Sequence, residues 1–584
     1  HFGPSFWLAS EFGLPSAQSY FVSLMAGGTL GVVAFAAVGG ILFGLDQGNW
    51  GGAIVKEGFI EAFCSGTAAE CHNASLLPED YAQFLSLGSS LLQLGAAIGA
   101  IFVAPHCAKE YGRREAMFLG SLVTVAGCLP QAVLVEIPHF LAVRFIAGVG
   151  VGVVTYALPM FVSEISPAEF RGVLGCFMQL TMVGGTVVAS ILNCQPWFEY
   201  QYSFAMPAIP AAVVALGIFF FPTSPRFALV TGQRRGLPDQ GVEVAWKALR
   251  SLRGSDAAAD EELNLIMESM AEEETDTPWS TLWTVPSIRR RVIIANLLQW
   301  MQQLTGVNAI LSYGPAIFQS ANVPLSSLAC AVVTNMFNLV GTIVMMLIID
   351  RLGRRSLLLF GAASMFVFMS LSAGLAHALS AMDEDSSYKT VLGWCLLACV
   401  CLYMASFAVA WGGVPWVYPS EIFPMSVKER AMSTSVCSQW SANFLIAYLV
   451  PQQVQALQVF GTFAFYAVCL AINFSLVYEL VPETKGLELE QMGPLFGEVD
   501  SAIGMPLMPR QVSSSSAACV LDMGGRVRVS TMPDLVSLLM HKETTTMPVT
   551  RRRSLSESDA DAAAKKGKVL SRVFMAPGGS VALF

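Results

Sequence analysis

Charged and amide side chains interrupt the long apolar runs of this sequence. Asp46 follows the uncharged run LGVVAFAAVGGILFG, and Arg144 begins the run RFIAGVGVG. Amides recur in later runs, at Gln302, Gln303 and Asn308. If these runs cross a membrane, a charge costs roughly 2.5–3.5 kcal/mol at mid-helix on insertion scales, and polar groups are tolerated where they face one another or a cavity. We therefore expect a polar path inside a membrane protein.

The composition indicates an integral membrane protein. The 584 residues are 54% hydrophobic and only 13% charged, with a mean hydropathy of +0.57. Soluble domains carry about twice that charged fraction. The net charge of −9 argues against nucleic acid as a partner, because phosphate binding needs a basic face. We also expect no removable signal peptide, no metal site and no cofactor, and the absence of a catalytic cluster argues against an enzyme.

Twelve apolar segments have the length of about 20 residues that a helix needs to cross a bilayer. They lie near 28–50, 84–106, 115–136, 138–162, 172–193, 204–222, 292–320, 325–349, 356–379, 390–419, 431–453 and 459–481. We therefore predict an all-α integral membrane fold with 12 transmembrane helices.

Basic residues of the short loops fall on one side of these segments. Lys109, Arg171, Arg351 and Lys428 all follow even-numbered segments, and the positive-inside rule makes that face cytoplasmic. Both termini and the loop 223–291 are then cytoplasmic.

The first loop on the opposite side carries Cys64, Cys71 and the sequon Asn73-Ala74-Ser75. A used sequon marks an external loop, which agrees with the charge bias. A Cys64–Cys71 disulfide and glycosylation of Asn73 fit this loop. Two unpaired thiols and an unused sequon are the alternative.

The two halves of the chain repeat one another. YGRR (111–114) recurs as LGRR (352–355), EISP (164–167) as EIFP (421–424), and PTSPR (222–226) as PETKG (482–486). Two six-helix repeats with a site between them are typical of a transporter. We predict an N-terminal segment 1–27, a bundle 28–222, a cytoplasmic helical linker 223–291, a second bundle 292–481 and a mostly disordered cytoplasmic tail 482–584.

An ordered set of motifs resembles the sugar porters of the major facilitator superfamily. The set comprises FGLDQG (43–48), GRR (112–114), RFIAGVGVG (144–152), PMFVSEISPAEFRG (159–172), SPR (224–226), QQLTGVNAILSYGP (302–315), DRLGRR (350–355), VPWVYPSEIFP (414–424), QWSAN (439–443) and PETKG (482–486). The resemblance covers about residues 30 to 490. It implies an alternating-access carrier of a glucose-like hexose in the plasma membrane.

The resemblance also implies a set of substrate-binding residues. A hexose is neutral, so its site needs amide donors and acceptors and an aromatic face. The implied residues are Phe43, Gln179, Gln302, Gln303, Asn308, Asn338, Trp416, Gln439, Trp440 and Asn443. Asn335 is the alternative to Asn338 in segment eight. Amides that only join helix to helix are the alternative for the whole set.

Charges at the cytoplasmic ends of the helices form a predicted gate. Acids alternate with bases at matching places in both halves, so ion pairs could hold the bundles closed on this face. The members are Arg113, Arg114, Glu164, Arg171, Arg226, Asp350, Arg354, Arg355, Glu421, Lys428 and Arg430. The alternative is that these charges only set the topology.

Asp46 and Arg144 are the predicted proton-coupling pair. By resemblance, Asp46 is the nearest anion to Arg144, and an acid that alternates between paired and isolated states can release and bind a proton. This favours sugar/H⁺ symport, with the proton as coupling ion. A passive uniporter is the first alternative, because some passive relatives keep this aspartate.

Four positions depart from the family pattern. Lys109 replaces an aspartate three residues before GRR, so Glu110 substitutes for it or the lock is weaker. Thr223 replaces a glutamate, Gly413 replaces a proline, and Ser312 replaces one of two outer-gate aromatics. Tyr313 remains as the expected outer-gate residue.

Other classes of function stay open from the sequence. A nutrient sensor would signal through the tail, where RRRSLSES (551–558) resembles a site for a basic-directed kinase at Ser554. A solvated tail is the alternative. A polyol, or a cyclic acid such as quinate, is a further candidate substrate. Quinate would need a second buried basic residue besides Arg144.

Overall fold

The structure is a computed structural model of the chain. It describes residues 29–66, 70–71, 77–165, 171–271, 278–320, 325–382, 387–486, 492–496, 519–521 and 527–529. Asn73, Ser554 and most of the tail lie outside these residues.

Most of the described residues of the N-terminal half are in helices. They are α1 Thr29–Ala53, α2 Glu57–Phe63, α3 Glu79–Ile98, α4 Ala104–Glu110, α5 Arg113–Gln131, α6 Ile137–Ile165, α7 Arg171–Asn193, α8 Tyr200–Ala205 and α9 Ala208–Gly217. A π-helical segment, Gly99–Val103, joins α3 to α4, and a 3-10 turn, Ile218–Phe220, follows α9.

The linker and the C-terminal half are helical as well. The linker contains α10 Pro225–Arg234, α11 Pro238–Arg253, α12 Asp256–Ala271 and α13 Thr281–Thr284. The half itself contains α14 Pro286–Gln303, α15 Val307–Ser320, α16 Ser327–Leu352, α17 Arg354–Ser380, α18 Ser387–Ala410, α19 Val414–Ile422 and α20 Met425–Leu480. Beyond it lie α21 Met492–Leu495 and two antiparallel strands, β1 Cys519–Leu521 and β2 Val527–Val529, in which Cys519 pairs with Val529. The strands were not predicted.

The described part of every predicted apolar segment is mainly helical. Among the described residues, seven helical stretches are long and apolar enough to cross a membrane: Glu79–Glu110, Ile137–Ile165, Tyr200–Phe220, Ser327–Ile349, Arg354–Ser380, Tyr388–Ile422 and Ser426–Leu480. The last of these holds two predicted segments, and the backbone of Gln458 breaks it with a φ of 58°. The all-helical membrane fold is confirmed, and the number of 12 crossings stays a prediction.

Segment seven is broken where the sequence placed a flexible glycine. Helix α14 ends at Gln303 and α15 begins at Val307, and Gly306 between them has a φ of 88°. A Cβ at Gly306 would lie 2.6 Å from the Tyr466 ring, so both the backbone angle and the space require glycine. The break turns the side chains of α14 and α15 toward a common cavity.

The two halves pack against each other through long helices. Helix α3 lies against α20, α7 lies against α16, and α1 lies against α15. Within the N-terminal half, Gly95, Gly148 and Gly152 let α3 and α6 approach until a Cβ would overlap the facing backbone. Such close approach is typical of membrane helices, which lack a hydrophobic drive to associate.

Two faces of the molecule are named by their residues. The outer face carries Cys64 and Cys71, which the structure joins by a disulfide. The inner face carries Arg113 and Arg354. On the inner face, Arg253 of α11 bonds Glu262 of α12 at 2.6 Å and the Ile165 carbonyl at 3.1 Å. The linker is thereby attached to the inner end of α6.

Candidate functional site

A cavity lies between the two halves, with about 550 Å³ of empty space including its opening to solvent. All ten residues that the sequence predicts for substrate binding line it, and so do Gln47, Met182, Val183, Thr186, Val307, Leu311, Phe407 and Gly412. No charged side chain is among these lining residues of the described chain. The cavity therefore suits a neutral, polar ligand.

Four amide oxygens of this cavity have no hydrogen-bond partner among the described residues. They belong to Gln302, Asn338, Gln439 and Asn443, all of which are buried. A buried acceptor without a partner costs about 1–3 kcal/mol. Because these oxygens accept and do not donate, the ligand that satisfies them must supply several donors, such as hydroxyl groups.

Two of the cavity amides are fixed in place by their donor groups. The Gln302 amide nitrogen donates to the Trp411 carbonyl at 2.6 Å, close to the end of α18 at Ala410. Asn308 donates to the side-chain oxygen of Gln303, which joins α14 to α15 across the break. These bonds fix the orientation of the Gln302 and Asn308 amides.

Aromatic rings form part of the cavity wall. The rings of Phe43 and Trp440 meet edge to face, with centroids 4.9 Å apart. The Trp440 indole nitrogen donates to the Thr155 hydroxyl at 3.3 Å, so this ring is fixed from both halves. Trp416 remains half-buried and lines the cavity. The apolar face of an indole ring can pack against the C–H groups of a sugar ring.

The structure separates the two asparagines of segment eight. Asn338 lines the cavity, whereas the Asn335 amide donates to the Ser190 hydroxyl of the other half at 2.7 Å. Asn335 therefore joins α16 to α7 beside the cavity.

Arg144 and Asp46 form no ion pair in this structure, as in the isolated one of the two predicted states of Asp46, and alternation with a paired state stays a prediction. The Arg144 guanidinium donates to the Gly88 carbonyl at 2.5 Å and to Gln131 Oε1 at 3.0 Å, and it lies 4.5 Å from the Trp50 ring centroid. These three groups satisfy the charge without a carboxylate. Asp46 is 7% exposed and feels the Arg144 charge, but no described residue forms a hydrogen bond or ion pair with it.

Hydrogen bonds join the halves at the outer end of the cavity. Gln47 of α1 donates to Asn308 of α15 at 2.5 Å. The Tyr313 hydroxyl lies 2.6 Å from the Ser89 hydroxyl and 3.2 Å from the Leu85 carbonyl of α3. Tyr313 is thus buried at the contact between halves where the sequence predicts an outer gate.

The repeated inner-face motifs form the same structure twice. Arg113 Nε donates to Glu164 at 3.0 Å, and Arg354 Nε donates to Glu421 at 3.1 Å. Each arginine also bonds the carbonyl five residues before it, and each follows a glycine with positive φ. Each ion pair lies within its own half of the chain. The two pairs therefore stabilise the individual bundles and do not join one bundle to the other.

One of the bonds that cross between the halves at the inner face involves Glu429. This acid, in the first turns of α20, pairs with Arg113, and its backbone carbonyl accepts a hydrogen bond from Tyr156 at 3.3 Å. The opposite half thus supplies an acid to Arg113. Whether Glu110 substitutes for the missing aspartate or Lys109 leaves the lock weaker stays a prediction.

The other predicted gate residues are placed less uniformly. Arg114 pairs with its neighbour Glu115 at 2.7 Å, and Arg355 donates to the Tyr478 carbonyl at 2.6 Å. Arg226, Lys428 and Arg430 lie near the ends of α10 and α20 on the inner face. The side chains of Arg171 and Asp350 lie outside the described part of the structure.

Sequence reasoning missed several residues of these sites. Gln47, Ser89 and Glu429 each bond across the halves, and Glu483 accepts from the backbone nitrogens of Arg354 and Arg355 at 2.8 and 3.1 Å. Two of these residues could have been recognised from the sequence. Gln47 is a polar residue next to Asp46 in an apolar segment, and Glu483 belongs to the PETKG motif. Nothing local distinguished Ser89 or Glu429.

Glu429→Gln tests the inner crossing bond. We expect the variant to expose the inner end of the cavity about two- to fivefold more often, since a partly exposed pair contributes up to about 1 kcal/mol. The measurement is the rate at which a membrane-impermeant thiol reagent labels a cysteine placed at Ser433, applied from the inner face of inverted vesicles. Glu261→Gln, which removes an exposed acid of α12, is the control. Equal labelling rates in both variants would contradict this role.

Comparisons with known proteins agree with this geometry. The family model described as "Sugar (and other) transporter" matches residues 32–496. "Sugar transport protein 10" of Arabidopsis thaliana is 31% identical over 482 residues, which cover 79% of this chain and 91% of that protein. "Sugar transport protein MST4" of Oryza sativa subsp. japonica is 30% identical, covering 78% of this chain and 88% of that protein.

Solved structures share the fold. The proton:xylose symporter XylE bound to 6-bromo-6-deoxy-D-glucose aligns with a TM-score of 0.64 at 24% identity, over 80% of this chain and 99% of that one. A partially occluded, inward-open XylE from E. coli aligns with a TM-score of 0.62 at 23% identity, over 79% and 99%. The protein is therefore a multi-pass membrane protein with the major facilitator fold, and it belongs to the sugar (and other) transporter family.

Proposed function

We propose that this protein carries a monosaccharide across the membrane by alternating access, in symport with a proton. The observation that carries the proposal is the set of four unpartnered amide oxygens in a cavity between two repeated bundles. A sugar hydroxyl can donate to each of them, and the indole faces of Trp416 and Trp440 complement the sugar ring. The cavity wall carries no charge among its described lining residues, which favours a sugar over a cyclic acid.

Contacts on both sides of the cavity support alternating access. Tyr313 and Gln47 close the outer end, and Arg113 and Glu429 close the inner end. Each end is closed by a few bonds between the two halves. Each half is held together by its own network of hydrogen bonds and ion pairs. Breaking one set while keeping the other would open the cavity to one side at a time.

Asp46 supports coupling to protons. It is buried beside cavity-lining residues Phe43 and Gln47 and has no protein partner among the described residues. A carboxyl group in such a place is most stable with a proton bound, and attraction to Arg144 would favour its release. The similar chains named above are sugar transport proteins, and XylE is a proton:xylose symporter, which accords with this assignment.

The finer assignments extend the same proposal. We place the protein in the plasma membrane with both termini and the linker in the cytoplasm, on the basis of the charge bias and the outer-face disulfide. Glycosylation at Asn73 and phosphorylation at Ser554 stay predictions.

Uptake of labelled hexose by transport-deficient cells tests this function. We expect accumulation that falls with an uncoupler and rises as the external pH is lowered from 7.5 to about 5.5, because an inward proton gradient drives the sugar. Asp46→Asn should abolish uphill accumulation and leave sugar exchange. Uptake that ignores pH and uncoupler in the unmutated protein would establish a uniporter instead, and no uptake of any sugar or polyol would favour a sensor.

Asn338→Ala tests the cavity as the sugar site. The variant loses one of the unpartnered acceptors, so the apparent KM should rise about five- to fiftyfold, the range for one buried hydrogen bond to a ligand. The matched variant is Asn335→Ala, which removes the same group three residues away on α16. Its KM should change by less than about threefold, because Asn335 bonds Ser190. Equal changes in the two KM values would contradict the placement.

A further inference from the structure

The outer gate and the buried arginine meet at two adjacent residues of α3. Arg144 holds the carbonyl oxygen of Gly88 at 2.5 Å, and the next residue, Ser89, places its hydroxyl 2.6 Å from that of Tyr313. Arg144 belongs to the N-terminal half and Tyr313 to the C-terminal half. A charge inside one bundle is thereby connected to a contact between bundles through one peptide unit.

The packing around Gly88 makes this connection stiff. A Cβ at Gly88 would overlap the Trp50 ring, and the Arg144 guanidinium lies over the Trp50 ring at 4.5 Å from its centroid. The backbone of Gly88, the indole and the guanidinium are therefore packed closely together. Close-packed interiors of this kind transmit small shifts rather than damping them.

The Ser89 hydroxyl is itself fully enclosed. It is 1% exposed and lies 3.3 Å from the Ser86 carbonyl of its own helix and 3.2 Å from the Ala447 carbonyl of α20. The Tyr313 hydroxyl reaches the same Ala447 carbonyl at 3.2 Å. The two hydroxyls and two carbonyls form one network, and buried networks lose much of their stability when a single member moves out of position.

We propose that Ser89 is a positioning residue that links the charge state of the Asp46–Arg144 site to closure of the outer gate. The link rests on the proposed symport function. With Asp46 neutral, Arg144 binds Gly88 and holds Ser89 against Tyr313, as in this structure. With Asp46 charged, the carboxylate draws Arg144 from Gly88, Ser89 shifts from Tyr313, and the outer gate does not close. Cys128 and Tyr313 are the other titratable groups in electrostatic range of Arg144 among the described residues.

Ser89→Ala in proteoliposomes tests the link. Two quantities are measured: accumulation of labelled hexose under an imposed pH gradient, and counterflow of the same sugar at equal pH. We expect accumulation to fall about three- to tenfold, as for loss of one buried hydrogen bond, while counterflow stays within about twofold. Tyr313→Phe should reduce accumulation at least as much, because it removes this bond together with those to the Leu85 and Ala447 carbonyls.

Ser90→Ala is the matched control. Ser90 is as buried as Ser89, but its hydroxyl bonds the Leu87 carbonyl of its own helix, so this variant should accumulate sugar like the unmutated protein. The link is overturned if Ser89→Ala accumulates normally, if its counterflow falls in proportion to its accumulation, or if Ser90→Ala matches it. Failure of the unmutated protein to accumulate sugar would instead overturn the symport function on which the link rests.

Discussion

The structure depends on one constraint: polar groups buried between membrane helices must find partners inside the protein. Arg144 meets it with a backbone carbonyl, an amide and an indole face rather than with a carboxylate. The cavity amides meet it only in part, because four of their oxygens have no partner among the described residues. In an apolar environment, polar groups with protein partners stabilise the fold, whereas polar groups without protein partners are available to bind a ligand. The same constraint leaves Asp46 as a buried acid without a partner among the described residues.

Duplication explains how the bundles can move as units. Arg113 with Glu164, and Arg354 with Glu421, form equivalent networks with nearly equal distances. Each network fastens one half internally, so motion between halves breaks few bonds. The bonds that cross between the halves lie outside these duplicated networks. They include Glu429 at the inner face and Gln47 and Tyr313 at the outer end of the cavity, and such contacts are positions at which this chain can alter the balance between its states.

The sequence predicted the elements and the cavity lining better than the contacts. Apolar length located the helices, and the motif order located Gln302, Asn338 and Trp440 in one cavity, because family spacing preserves the helix face on which each residue lies. It could not predict the contact between Arg113 and Glu429, since the two are far apart in the chain and joined only by packing. Proximity in the family's arrangement suggested an Asp46–Arg144 pair, whereas the Gly88 carbonyl competes successfully for the guanidinium. The strands at Cys519–Leu521 and Val527–Val529 had no recognisable pattern.

The central claim is that the unpartnered cavity oxygens accept hydroxyl donors from a neutral sugar. The most direct measurement is competition between the best-transported hexose and its single-deoxy derivatives for binding to the purified protein. We expect at least three of the derivatives to bind about five- to twentyfold more weakly, because each missing hydroxyl leaves a buried acceptor unpaired. Derivatives that all compete as well as the parent sugar would contradict the account.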